Sequence, residues 1–373
     1  MIMQDQFGFE NKENCCPPEE NWIAFDPSAA EKQRKEESKK RLRFAASRVG
    51  WATAILVAVW MGAIFFVSAI AQIFGEGGIA FYNKYLLIIN EVTLAIGIAV
   101  AVIVLFPVPR VNINREKISV GKFLMILSIC FGVAYVTNFI GTVALNIWNI
   151  FTGNSVGGEL AELLYEMDPF LMFLSAGILA PILEELFFRK LLTDRLRVFG
   201  ELPAILLPAF LFALFHMSAS QFLYAFTVGL VLGYFYCKTG SYWLTVLIHA
   251  IFNTVSGVIS VLFIDPINGF MTEFAKIAEE TMDGAEIIER VMELMPEYGM
   301  ALGLYAIYAL LIGVINIVGI ILLFVCIVTK KIELRLGEYC LPRKEAAKTV
   351  FKTSGIIVCT VFLVVMTALS LFS

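Results

Sequence analysis

Apolar runs close to the ~20 residues that carry a helix across the hydrocarbon core of a bilayer recur along this sequence, and nothing else narrows its possible folds so far. Nine are legible: Trp51 to Phe74, Leu86 to Pro107, Phe123 to Trp148, Phe170 to Leu192, Leu202 to Ser218, Phe222 to Cys237, Tyr242 to Phe263, Ala301 to Val328 and Gly355 to Phe372. The fifth and sixth are the shortest. In lipid every backbone polar group must be satisfied within the structure, which leaves helices or closed barrels, and the period-two alternation of a barrel is missing. The expected fold is therefore all-α, a polytopic transmembrane bundle of eight or nine spans. Composition agrees: 59% of the 373 residues are hydrophobic and 16% charged, against about 25% charged in soluble domains.

Charge placement orients the bundle. With the N-terminus in the cytoplasm, all but Lys84, Lys276 and Arg290 of the 28 Lys and Arg residues fall in cytoplasmic segments or helix ends, as the positive-inside rule requires. A multi-pass protein of the cell membrane is expected, with the lipid bilayer as its constant partner. Residues 1–48 read as a largely disordered cytoplasmic tail ending in the basic run KKRLRFAASR, and residues 49–373 as the transmembrane domain. No cleavable signal peptide is expected, since no apolar stretch precedes a small-residue cleavage site. The seven cysteines, including Cys15 and Cys16, form no CxxC pair and read as reduced thiols. The acidic segment between the seventh and eighth spans has apolar residues at helical spacing, among them Ile277, Ile287, Val291 and Leu294, which predicts an amphipathic helix. No nucleic-acid motif or phosphate-binding loop is present, and no nucleic-acid partner is expected.

Ionisable residues inside the spans are the exceptional feature. PILEELFFRK places Glu184 and Glu185 within the fourth span, and an intramembrane acid is costly enough to mark a functional site by default. Glu185 and Arg189 are four apart and share a helix face; Glu184 points about 100° away, free for chemistry. The chain's two histidines, His216 and His249, both lie in spans, each with a companion four residues away, Phe212 and Asn253. A buried glutamate can act as general base toward water, an imidazole can relay protons, and an amide with a second imidazole can stabilise the oxyanion formed at a peptide carbonyl. Hydrolysis is the expected reaction and no cofactor is required. Two His and one Glu could alternatively bind zinc, although no HExxH helix is present. Asn138, Asn146 and Asn316 read as interhelical hydrogen-bonding groups, and Glu91 as a residue near the outer interface.

The ordered motifs EExxxR (Glu184, Glu185, Arg189), FxxxH (Phe212, His216) and HxxxN (His249, Asn253) resemble those of the CAAX prenyl endopeptidase and bacteriocin-processing (CPBP, or Abi) family of intramembrane proteases. The resemblance covers about residues 170–263. It implies an endopeptidase acting on a membrane-associated peptide or protein tail. In it Glu184 activates water with help from His216, His249 and Asn253 stabilise the oxyanion, and Glu185, Arg189 and Phe212 support the site. Family members have been described both as glutamate-dependent and as metal-dependent, and bacterial ones are linked to bacteriocin self-immunity. A non-catalytic immunity or scaffold protein that binds a peptide, or a transporter using the same groups as a proton relay, would need a similar inventory. Depth poses a difficulty. A straight span from Leu202 would carry His216 roughly 21 Å inward, past a Glu184 placed in the cytoplasmic half of its span, so a break or kink near Pro208 is expected.

Overall fold

The computed structural model describes residues 27–111, 115–153 and 167–371. Among these every regular element is helical: α1 (Pro27–Ile73), α2 (Gly75–Leu105), α3 (Val120–Thr152), α4 (Pro169–Phe199), α5 (Glu201–Phe215), α6 (Ala219–Thr239), α7 (Tyr242–Glu280), α8 (Gly284–Val328), α9 (Arg343–Val350) and α10 (Ser354–Leu369). Seven of them are long and apolar enough to cross a membrane, and α9 with α10 makes an eighth segment bent by 74°. The chain is a multi-pass helical bundle. None of the five cysteines among the described residues is disulfide-bonded; Cys15 and Cys16 lie outside them.

The disordered tail expected over residues 1–48 is corrected from residue 27 onward, where α1 is already helical; residues 1–26 lie outside the described residues. Charge there conceals an apolar stripe. Leu42, Ala45, Ala46 and Val49, spaced three or four apart, are fully or almost fully buried, and side chains at that spacing share one helix face. Lys35 pairs with Glu345 of α9 at 2.6 Å, which ties the start of α1 to the far end of the chain.

The acidic segment expected to form one amphipathic helix is helical but divided: Ile277 is buried at the end of α7, Ile264–Glu280, whereas Ile287, Val291 and Leu294 belong to the start of α8. A tight turn at 281–283 returns the chain into α8, and the Phe270 and Tyr298 rings meet edge to face at 6.1 Å.

Two helices settle the depth problem, and the expected break at Pro208 is not what settles it. Pro208 sits inside a continuous α5. This helix has 15 residues, about 22 Å at 1.5 Å per residue, so it falls short of the ~30 Å bilayer core and is no complete span. It ends at His216; Met217 takes a left-handed φ of 48°, and α6 begins two residues later and runs back along α5. At Gly229 a Cβ would stand 3.1 Å from Ala209, so the helices can approach this closely because the residue has no side chain. Lys238 at the end of α6 meets Glu201 at the start of α5 at 2.5 Å. On the other side of the Gly200 turn, α4 has 31 residues with Glu184 at its middle rather than toward one end. Glu184 precedes Gly200 by the same number of residues as His216 follows it. An up-down pair folded at Gly200 brings the two to one level.

Candidate active site

The centre of α4 is not a regular α-helix. A single α-helical turn, Ala180–Glu185, is flanked by π-helical segments at Phe173–Leu179 and Leu186–Thr193, and a third π segment, Thr254–Val258, follows Asn253 in α7. π segments are rare and occur often at functional sites. Pro181 explains part of the geometry. The Ala180 N–H bonds five residues back to the Ser175 carbonyl; the next bond of that pattern would run from residue 181 to Ala176, and proline has no N–H to make it. The Ala176 carbonyl instead accepts the Asn253 side-chain amide at 3.0 Å. One proline thereby ties α4 to α7 at the site.

Glu184 and Glu185 diverge as the helical spacing predicts. Glu185 is fully buried and accepts Arg189 Nε at 3.0 Å on one oxygen and His249 Nδ1 at 3.2 Å on the other. With that nitrogen donating to a carboxylate, His249 turns Nε2 toward Glu184, whose Oε2 lies 3.7 Å away. His216 is held in the same sense: its Nδ1 lies 2.8 Å from the Phe212 carbonyl, which can only accept, so Nδ1 carries the proton and neutral Nε2 is left as an acceptor. The Phe212 ring meets both imidazoles edge to face, His216 at 4.8 Å and His249 at 5.8 Å, and the Arg189 guanidinium lies 5.6 Å from its centroid. Nη1 and Nη2 of Arg189 have no hydrogen-bond partner among the described residues.

Glu184, His216, His249 and Asn253 line one cavity of about 530 Å³ between α2, α3, α4, α5, α6 and α7. All four side chains expected at the site meet there, and the three supporting residues Glu185, Arg189 and Phe212 pack behind or beside them. Asn138, read as an interhelical group, also lines it.

Glu91 is the correction here. It lies on the cavity wall, 5% exposed, and not at an outer interface. The second span was read as starting at Leu86, which placed Glu91 near its beginning, whereas α2 starts at Gly75 and has Glu91 close to its middle. The legible signal was the acid itself, beside Asn90 in an otherwise apolar run. Among the described residues no three His, Cys, Asp or Glu side chains stand together as a metal-binding set.

Residues 166–255 match the family model described as type II CAAX prenyl endopeptidase Rce1-like, which is the CPBP family. Over this segment the chain resembles the CPBP family. The matched segment contains every residue expected at the site, and the membrane-length helices around it fit a multi-pass membrane protein. No curated protein and no solved structure matches the chain. The helices outside the matched segment, α1 to α3 and α8 to α10, are not covered by the match, although α2 and α3 supply walls of the cavity.

Proposed function

We propose that the protein is a glutamate-dependent intramembrane endopeptidase that cuts a membrane-associated peptide or protein tail within the cell membrane. The observation carrying this reading is the convergence of Glu184, His216, His249 and Asn253 on one cavity, with each imidazole presenting Nε2 while its Nδ1 is engaged. A water in the cavity is held by Glu184 and by Nε2 of His216. Glu184 takes a proton from that water as its oxygen attacks the carbonyl carbon. Negative charge developing on the carbonyl oxygen is met by the Asn253 amide and by His249 protonated at Nε2, its imidazolium stabilised by Glu185 on the other side. The carbon–nitrogen bond breaks as Glu184 returns the proton to the departing amine.

The test is membrane peptidomics comparing wild type with Glu184→Gln, followed by cleavage of the peptides so found by the purified protein. Fragments that depend on Glu184 support the proposal; none, under conditions of normal expression, would leave a peptide-binding scaffold as the better reading. No metal takes part in this scheme. Prolonged treatment with chelators is expected to leave the purified activity within about twofold, a loss far below the several kcal/mol that a Lewis acid supplies. Stoichiometric zinc whose removal abolishes cleavage and whose return restores it would overturn the glutamate mechanism.

A further inference from the structure

The buried acids among the described residues are Glu91, Glu185, Asp194 and Glu201. Three of them face a cation: Arg189 at 3.0 Å from Glu185, Lys190 at 2.8 Å from Asp194, and Lys238 at 2.5 Å from Glu201. Glu91 faces none among the described residues, and yet one of its oxygens is held by two donors. Its Oε1 accepts the Asn90 side-chain amide at 3.1 Å and lies 3.2 Å from the Ser175 hydroxyl, which is shared with the Leu87 carbonyl at 3.2 Å. The Asn90 amide is turned in its own right, because Trp60 of α1 donates its indole N–H to the carbonyl oxygen at 3.1 Å. Residues from α1, α2 and α4 thus hold one carboxylate oxygen, while the other, Oε2, is buried without any hydrogen-bond partner. This side chain lies on the wall of the cavity that Glu184 also lines.

An acid serving only to join helices would have both oxygens engaged, since an unsatisfied buried carboxylate oxygen is expensive. A carboxylate held rigidly by one oxygen, and lacking a counter-charge, is a preorganised acceptor for a donor that arrives with the ligand. Charge-assisted hydrogen bonds are the strong ones, so the matching donor is cationic. We propose that Glu91 forms a specificity subsite which accepts a lysine or arginine side chain of the peptide close to the bond that is cut. The proposal deepens the protease reading and rests on it.

The experiment uses full-length protein in lipid nanodiscs and a set of apolar peptides carrying, at each position in turn, either lysine or its uncharged analogue norleucine. At one position the wild-type protein is expected to prefer lysine by at least about tenfold in kcat/KM, the range of a hydrogen bond to a charged group. Glu91→Gln keeps the shape and the contacts to Asn90 and Ser175, and is expected to bring the lysine-to-norleucine ratio close to one. Absence of any lysine preference in the wild type, a preference that survives Glu91→Gln, or equal loss of all cleavage in that variant would each overturn the proposal, the last by placing Glu91 in the chemistry. If no peptide is cut in a Glu184-dependent manner, the protease reading fails. Peptide binding to the Glu184→Gln protein, with and without Glu91→Gln, then still decides whether Glu91 selects a cation.

Discussion

Each imidazole at the site is fixed by what its far nitrogen donates to, and the variants of these side chains are expected to separate chemistry from folding. Glu184→Gln, His216→Ala and His249→Ala remove groups that face a cavity in a frame made by other residues. Each is expected to lower kcat by at least about 10²-fold, the usual contribution of a positioned acid or base, with membrane abundance unchanged by immunoblot. Arg189→Ala should differ. It strips the cation from a fully buried Glu185, and an uncompensated buried charge costs about 3–5 kcal/mol. Lower abundance and a lower melting temperature in detergent are expected along with lost activity; normal abundance and full activity would remove Arg189 from its supporting role.

The π segments of α4 make the helix itself part of the machinery. Pro181 leaves the Ala176 carbonyl free, and Asn253 takes it. In Pro181→Ala a backbone N–H becomes available to reclaim that carbonyl, so the helix should gain stability, by up to ~3 kcal/mol for a proline removed from a helix interior. Asn253 then loses its anchor, and activity should fall toward the ~10²-fold expected when an oxyanion donor is misplaced. Opposite movements of melting temperature and kcat are the signature; a variant that loses both, or neither, would disconnect the proline from the site. A second constraint sits at Gly177, where a Cβ would come within 2.8 Å of the Thr254 hydroxyl, so the π segments of α4 and α7 touch there without a side chain between them.

At the scale of the molecule, one end of the bundle gathers the start of α1, the Gly200 turn and the strap before α9: Lys35 pairs with Glu345 of α9, Arg34 reaches the Glu338 carbonyl at 3.4 Å, and the Glu201 N–H donates to the Arg335 carbonyl while the Arg335 N–H donates to the Glu201 carboxylate. Lys and Arg are dense there, and under the positive-inside rule we propose it as the cytoplasmic end. In a variant with Cys15, Cys16 and Cys326 replaced by Ser, the exposed Cys340 of this strap should therefore react with a membrane-impermeant thiol reagent only after the cells are opened. Labelling of intact cells would invert the topology and with it the face from which substrate is cut.

What the sequence alone determined are properties carried by local pattern: the helical bundle from the apolar runs, the divergence of Glu184 from Glu185 and the Glu185–Arg189 pair from helical spacing, and the site residues from costly groups set in apolar surroundings. Where each helix starts and stops was decided by tertiary contacts, because an apolar run does not mark how far helix continues beyond it. The Leu42 to Val49 stripe became helix by packing, α2 began eleven residues before its expected start and so carried Glu91 into the cavity, and α5 stopped at His216 because α6 packs back along it. The π segments and the Ala176–Asn253 bond were likewise beyond local pattern, since a carbonyl released by Pro181 is useful only when another helix brings a donor to it.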